Sequence, residues 1–225
     1  MKFFNMFGNS ASSWNKRGIS LRKQKKYQEA LDSFEEALKI DPTSFDALFN
    51  KGIVFLLLCR YQEALECYDK ALELDPENVD SWFNKGSSLE QLGKFEKALE
   101  CYDKALELDP ENVESWFNKG VVFDKSGKFE KALECNDIAL KLDPTYSLAL
   151  QNRGVILEEL KLYEDALKSY DKSLEICSKD GPTWYNKGDL LEKLGRKTEA
   201  LECYDKAFKL NPELKNLIKS EKQIL

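Results

Sequence analysis

A segment of 34 residues recurs six times in this chain and accounts for most of its 225 residues. The copies Ala64–Val79 and Ala98–Val113 are identical, and after one further residue both continue as Ser-Trp-Phe-Asn-Lys-Gly. Each unit is too small to bury its own apolar face, so such a chain is expected to fold as a stack of similar units. One glycine and one alanine each recur at this 34-residue interval, once in every copy. They are Gly18, Gly52, Gly86, Gly120, Gly154, Gly188, and Ala30, Ala64, Ala98, Ala132, Ala166, Ala200.

Each copy contains two helical patterns. In the third copy, Trp82 and Gly86 begin an apolar series with helical spacing, and a second series begins at Ala98. Gly93 lies between the two series and predicts a turn, and Pro110 follows the second series, which it cannot continue. The sequence therefore predicts a helix-turn-helix unit, repeated along the chain.

This pattern resembles the tetratricopeptide repeat, in which a Trp lies four residues before the Gly, an Ala twelve residues after it, and a Pro near the end. The resemblance implies an all-α fold of tandem helix-turn-helix repeats that form a right-handed superhelical solenoid. Two copies replace the Trp by Leu, the fourth has Asn136 at the aromatic position of its second helix, and the fifth has Ser178 at the Pro position, which leaves the angle between repeats five and six open. The positions that carry the resemblance are Trp14, Leu48, Trp82, Trp116, Leu150, Trp184, and Pro42, Pro76, Pro110, Pro144, Pro212.

The predicted organisation has three parts. An apolar tail occupies residues 1–10 and contains Phe3, Phe4, Met6 and Phe7. A capping segment occupies residues 215–225 and contains Leu217, Ile218 and Leu225. Between them lie the repeats 11–44, 45–78, 79–112, 113–146, 147–180 and 181–214.

Composition limits the kind of partner. The net charge is −6, although the first 28 residues carry seven Lys or Arg and no acid. A polyanion would be repelled by most of the chain, so nucleic-acid binding by the repeats is not expected. The basic end could contact an acidic partner, RNA or an anionic membrane surface, or it could simply be a solvated helix face. We find no apolar run of about 20 residues that would predict a membrane span, and the short apolar start favours a cytoplasmic protein over a secreted one.

The sequence offers little for catalysis or cofactor binding. It contains no histidine, the side chain that most often titrates near neutral pH in general acid–base catalysis. It also contains no Cys-x-x-Cys pair and no glycine-rich phosphate loop. Four of the six cysteines occupy one repeat position and are predicted to be reduced core residues: Cys67, Cys101, Cys135 and Cys203. We therefore expect no enzyme activity, no cofactor and no metal.

Function is then expected to lie on a surface. On each first helix, the residues six, three and two before the Gly and one, four and five after it share one stripe. In tetratricopeptide proteins this stripe lines a concave groove that holds peptides or helices of partners, and the resemblance implies the same here. Asparagine stands two residues before the Gly in five repeats, similar to the asparagine ladder of protein O-GlcNAc glycosyltransferases. These side chains could bond a peptide backbone or serve packing between first helices: Asn50, Asn84, Asn118, Asn152 and Asn186.

Two further features of the stripe bear on the ligand. An aromatic residue precedes the Asn in four repeats, where it forms either a binding patch or an extension of the core: Phe49, Phe83, Phe117 and Tyr185. Acidic residues are frequent on the stripe of repeats two to six, where only Lys125 and Lys193 oppose them, so the groove suits a ligand with apolar and basic residues. These acids are Asp46, Asp80, Glu114, Glu90, Asp124, Glu158 and Glu192.

The sequence therefore predicts a protein–protein interaction scaffold that binds an extended or helical peptide of another protein in its groove. It does not predict the basic clamp by which some tetratricopeptide domains hold acidic chaperone tails, because Asn15 and Ile19 occupy two of the required positions. The alternative is a structural array or accessory subunit that self-associates through its terminal repeats, as a homo-oligomer.

Overall fold

A computed structural model describes residues 10–215, and all regular structure in that range is helical. The described residues form twelve helices. They are α1 (Ala11–Lys23), α2 (Tyr27–Ile40), α3 (Phe45–Leu57), α4 (Tyr61–Leu74), α5 (Val79–Gln91), α6 (Phe95–Leu108), α7 (Val113–Lys125), α8 (Phe129–Leu142), α9 (Ser147–Glu159), α10 (Tyr163–Ile176), α11 (Gly181–Lys193) and α12 (Lys197–Leu210).

The helices keep the interval of the sequence. Every odd-numbered helix begins 34 residues after the previous odd-numbered one, and the even-numbered helices do the same. The fifth repeat lacks the usual proline but does not shift this register, because α11 begins 34 residues after α9. Helix α11 carries Pro182 in its first turn. A proline is tolerated there because the first N–H groups of a helix have no partner within it. The all-α, tandem helix-turn-helix fold predicted from the sequence is confirmed.

The chain divides into two compact units, one through Ser115 and the other from Trp116 onwards. In the first unit, α1, α3 and α5 each pair with the helix that follows them, and the pairs stack through α2–α3 and α4–α5. First helices of neighbouring repeats also touch, as α1–α3 and α3–α5 in this unit and as α9–α11 in the second unit. In the described parts of each unit, second helices of neighbouring repeats do not meet in this way. The first helices therefore lie on the inner side of each unit.

A glycine closes each hairpin. A Cβ atom placed on Gly86 would lie 2.8 Å from the Tyr102 ring, and one placed on Gly18 would lie 2.5 Å from the Phe34 ring. The two helices can approach this closely only because glycine has no side chain, as its interval in the sequence predicts. Ala98 has no exposed surface and lies in the same hairpin core as Tyr102.

The turn between the two helices requires a left-handed residue. Gly93 has φ of 71°, and the next amide, that of Lys94, donates to the carbonyl of Leu89 at 2.9 Å. This pattern is a common way of ending a helix, and glycine adopts it without steric cost. Three other repeats have a non-glycine residue with positive φ at the same position, namely Lys25 (φ 61°), Cys59 (φ 57°) and Lys161 (φ 61°).

The four cysteines predicted to lie in the core are buried, which confirms their predicted place in the core: Cys67, Cys101, Cys135 and Cys203. Within residues 10–215, no helix is both long enough and apolar enough to cross a bilayer. The predicted apolar tail and most of the predicted capping segment, including Leu217, Ile218 and Leu225, lie outside the described residues.

The turn position gives a matched pair of variants. Gly93→Ala is expected to lower the free energy of unfolding by about 1 kcal/mol, because an L-residue is strained at this φ. No atom lies within 4 Å of the added Cβ, so the effect reports backbone conformation alone. Lys161→Gly is expected to act in the opposite direction by a smaller amount. Urea denaturation measures both, and equal stability of wild type and Gly93→Ala would contradict the assignment.

Candidate partner-binding face

The surface that the sequence singles out lies on the inner helices of each unit. We call it the first-helix face, defined as the stripe residues of α1, α3 and α5 in the first unit and of α9 and α11 in the second, with the α7 residues treated one by one. In the second unit, stripe residues of α9 and α11 come together around a surface pocket of about 300 Å³. Its lining is Val155, Glu158, Glu159, Tyr170, Tyr185, Asn186, Asp189 and Lys193. Stripe residues of neighbouring first helices thus form one continuous surface there.

The predicted asparagines are all half-buried. Asn50 Nδ2 donates to the Asp46 carbonyl, and Asn84 Nδ2 donates to the Asp80 carbonyl, each at 2.7 Å. These bonds run along the helix to the residue four positions earlier, so they fix the orientation of the amide. One amide hydrogen is used internally, and the Oδ1 atom keeps its capacity to accept. Asn152 differs, because its Nδ2 is buried with no hydrogen-bond partner.

The predicted aromatic residues are also half-buried, and their rings rest on other rings. Phe83 packs on Tyr102 with centroids 6.0 Å apart, and Tyr185 packs on Tyr204 at 5.5 Å. Phe49 likewise meets the second-helix tyrosine of its own repeat. Phe117 instead meets Tyr146 at 5.4 Å. Each ring is therefore both an extension of the core and a partly exposed surface, so the two interpretations left open by the sequence are compatible.

The predicted acids differ in depth. Asp80 and Glu114 are exposed in the first turns of α5 and α7, whereas Glu90 is only 7% exposed. Asp124 is half-buried. In α3, α5 and α7 an exposed stripe acid therefore stands in the first turn, whereas α9 and α11 carry their stripe acids near the C-terminus. The buried Glu90 has a hydrogen-bond partner inside the protein.

Those partners are tyrosines of the second helices. Tyr102 donates its hydroxyl to Glu90 Oε2 at 3.0 Å, and the same pair recurs in two other repeats. Tyr170 donates to Glu158 at 2.6 Å and Tyr204 donates to Glu192 at 2.8 Å. Burial, followed by the neighbouring carboxylate, raises the pKa of the Tyr102 hydroxyl well above its usual range. The tyrosines therefore remain neutral donors.

The second repeat breaks this pairing. Leu56 stands where four of the other repeats carry a carboxylate, and the buried Tyr68 hydroxyl has no hydrogen-bond partner among the described residues. Sequence analysis missed the pairing, although its signal was present. In every repeat with a Glu four residues after the Gly, a Tyr follows twelve residues later.

Asp124 has no such tyrosine, because its repeat carries Asn136 instead. Asn136 Nδ2 donates to the Ala132 carbonyl at 2.8 Å. Burial and then the charge of Glu159 raise the pKa of Asp124, and Lys125 opposes them in part. Among the described residues, no group of His, Cys, Asp or Glu is arranged to hold a metal ion.

The tyrosine pairs lead to a comparison of two variants. Tyr102→Phe should lower the free energy of unfolding by about 2 kcal/mol, because a hydrogen bond to a buried carboxylate is lost. Tyr68→Phe should leave stability unchanged or raise it, because it removes a hydroxyl with no partner. Thermal and urea unfolding measure the difference, and an equal loss in both variants would show that the Glu90 contact contributes nothing.

Asp124 gives a pH-dependent prediction. Because the pKa of Asp124 is raised in the folded chain, the protonated carboxyl group is favoured more in the folded chain than in the unfolded chain. The stability that this proton contributes at low pH is lost as the pH rises through the pKa of the folded state. Asp124→Asn should therefore be more stable than wild type at pH near 7, and the advantage should shrink toward pH near 4. Urea midpoints across this range test it, with the exposed Glu66→Gln as control. A constant difference would contradict the prediction.

Comparison with known proteins agrees with this architecture. The family model described as "Tetratricopeptide repeat" matches residues 11–44, 45–78, 79–112 and 182–214, and two further models with this description match 101–134 and 123–181. No curated protein matches the sequence.

Several solved structures share the fold. PilW, a widely conserved type IV pilus biogenesis factor, has a TM-score of 0.81 at 22% identity over 89% of this chain and 93% of its own. PilF of Pseudomonas aeruginosa has a TM-score of 0.78 at 22% identity over 90% and 92%. YrrB, a TPR protein with an unusual peptide-binding site, has a TM-score of 0.63 at 23% identity over 84% and 97%.

These identities are low, so the likeness to solved structures concerns the fold. The family model described as "Tetratricopeptide repeat" covers more than half of the chain. The chain therefore belongs to the tetratricopeptide repeat family.

Proposed function

We propose that this chain is a non-catalytic interaction scaffold, which holds an extended or helical segment of a partner protein on its first-helix face. Membership of the tetratricopeptide repeat family supports a protein-binding role. The observation that carries the finer proposal is the pocket between α9 and α11, where an aromatic ring, an amide and charged groups of neighbouring repeats converge. The peptide-binding site of the similar protein YrrB supports it further.

The proposed ligand has apolar and basic side chains. Half-buried rings such as Phe83 offer flat apolar surface, since their inner faces already rest on the core tyrosines. Exposed carboxylates stand at the start of successive first helices, at Asp46 and Asp80. Charges at the rim of a site mainly steer and select the ligand, and apolar contacts supply most of the affinity.

The asparagines are proposed to contact the ligand backbone. Asn50 and Asn84 have their amide groups oriented by bonds to their own helices, which leaves an oxygen acceptor in a defined direction. A preorganised acceptor loses little side-chain entropy when it accepts a peptide N–H. Since backbone groups are common to all sequences, these residues would favour extended chains without selecting side chains.

The residues that we propose for partner contact are those of the sequence prediction, with the exception of Glu90. The exposed acids select charge, the rings supply area, and the amides bind backbone. Glu90 is assigned a structural role, because it is buried and bonded to Tyr102. We also propose a cytoplasmic setting, supported by the buried cysteines Cys67, Cys101 and Cys203, which form no disulfide among the described residues.

A charge reversal tests the proposal without disturbing the core. Two fluorescent peptides of about 12 residues, long enough to span about 40 Å when extended, would alternate Leu with either Lys or Glu. Wild type should bind the Lys peptide more tightly, and added salt should weaken binding. Asp46→Lys combined with Asp80→Lys should reduce affinity for the Lys peptide by about tenfold, as measured by fluorescence anisotropy.

The matched control carries the same reversals on second helices. Glu66→Lys combined with Glu100→Lys changes exposed residues of α4 and α6 and should leave peptide affinity within about twofold of wild type. An equal loss in both double variants would indicate attraction by net charge alone. No preference of wild type for the Lys peptide would refute the proposed ligand chemistry.

A further inference from the structure

Neighbouring repeats are joined by a contact that recurs along each unit. Where α5 packs on α4, Ser81 and Ser88 have no exposed surface and Lys85 lies between them on the helix. Lys85 Nζ is 2.7 Å from Asp69 Oδ1 on α4. Leu65, one turn before Asp69, is only 6% exposed. This contact therefore combines small residues, one basic side chain, one carboxylate and one buried leucine.

The ion pair of this contact always joins residues 16 apart. Lys51 pairs with Glu35 at 3.1 Å, Arg153 pairs with Asp137 at 2.7 Å, and Lys187 pairs with Asp171. Each pair links a first helix to the second helix before it. The basic member is largely covered in each case, which is unusual for a surface ion pair.

Helix α1 carries the same pattern with no second helix before it in the described residues. Ser13, Arg17 and Ser20 occupy the positions that Ser81, Lys85 and Ser88 hold on α5. Arg17 and Ser20 are exposed. The Arg17 guanidinium lies 5.1 Å from the Trp14 ring centroid, the same distance as Lys85 from the Trp82 ring. Arg17 therefore lies over its Trp as Lys85 does, and Lys85 is the basic member of an ion pair between repeats.

Helix α12 carries the complementary pattern, also uncovered. Leu201 is 68% exposed, whereas the equivalent leucines Leu31 and Leu167 are 3% and 5% exposed beneath the next repeat. Asp205 occupies the position of Asp69, and its side chain is 63% exposed. Among the described residues it pairs with Lys209 on its own helix, at 2.6 Å, and an ion pair this exposed contributes little stability and can exchange for another.

We propose that α1 of one copy docks on α12 of a second copy and reproduces the contact of α5 on α4. Arg17 then pairs with Asp205 of the neighbouring copy, and Leu201 becomes covered. The two surfaces are different, so the contact is head-to-tail and leaves one free surface of each kind. Arg17 and Asp205 carry opposite charges, whereas a head-to-head contact of two α1 helices would bring two copies of Arg17 together. The proposal is independent of the peptide ligand, because neither Arg17 nor Asp205 belongs to the first-helix face.

Sedimentation equilibrium of the full chain, from micromolar to millimolar concentration, tests the proposal. The average mass of wild type should rise with concentration and fall with added salt. Arg17→Asp and Asp205→Arg should each raise the concentration for half-association by at least about tenfold. The chain carrying both changes should associate again, because the pair is restored in reversed order. Leu201→Ser should weaken association without restoration by either charge change.

Matched controls lie on the same helices. Lys23→Glu on α1 and Glu202→Lys on α12 alter exposed charges outside the proposed contact and should leave association unchanged. Circular dichroism checks that each variant is folded. A monomeric mass of wild type at all concentrations overturns the proposal, as does association that Arg17→Asp leaves unchanged. If the full chain is monomeric but a chain lacking residues 216–225 associates, that segment covers α12 instead, and the proposal fails for the full chain.

Discussion

The close approach of a first-helix glycine to a second-helix ring is the contact on which each repeat depends. At Gly52, Gly86 and Gly154, any Cβ atom would fall within 3 Å of a tyrosine ring. The ring in turn separates the two helices by a fixed distance and has its hydroxyl directed away from the glycine, toward the end of the first helix. In the repeats of Gly86 and Gly154 it meets there a carboxylate four residues beyond the glycine. A steric requirement within the hairpin thereby determines which groups of the first helix are engaged by the core.

The same ring also supports the proposed binding surface. Phe83 lies over Tyr102 and Tyr185 lies over Tyr204, so an exposed aromatic edge rests on a buried one. A ring held in this way cannot collapse into the core, because the space is already filled. The fourth repeat shows the dependence, because Asn136 replaces the tyrosine and Phe117 packs on Tyr146 instead. The identity of one core residue thus alters the outer aromatic layer of its own repeat.

Sequence periodicity predicted the helices, their register, the turns and the core cysteines, since these follow from spacing and from the conformational preferences of glycine and proline. It also assigned Asp80 and Glu90 to one stripe, but it could not separate the exposed residue from the buried one. Helical angle places a residue on a face, whereas depth depends on neighbouring helices and on a hydroxyl that arrives from another helix. The Glu–Tyr pairing was readable as joint occurrence within repeats. The direction of the hydrogen bond, from the Tyr hydroxyl to the Glu carboxylate, and the lack of a partner for the Tyr68 hydroxyl among the described residues are seen only in the structure.

Every repeat of a stack carries the surface that joins it to the next repeat, so the first and last repeats carry a joining surface with no neighbouring repeat to cover it. Interior copies bury it, as the covered Leu65 and the pair of Lys85 with Asp69 show. A terminal repeat avoids presenting this surface only if its residues depart from the pattern. Here α12 keeps a leucine and an aspartate at the joining positions, and α1 keeps a basic residue between two serines. Serine is also what α5 buries at those positions, so the serines of α1 do not block stacking. Helices α1 and α12 therefore retain the chemistry of an interior joint, and the proposed contact between chains uses the same interaction that orders repeats within a chain.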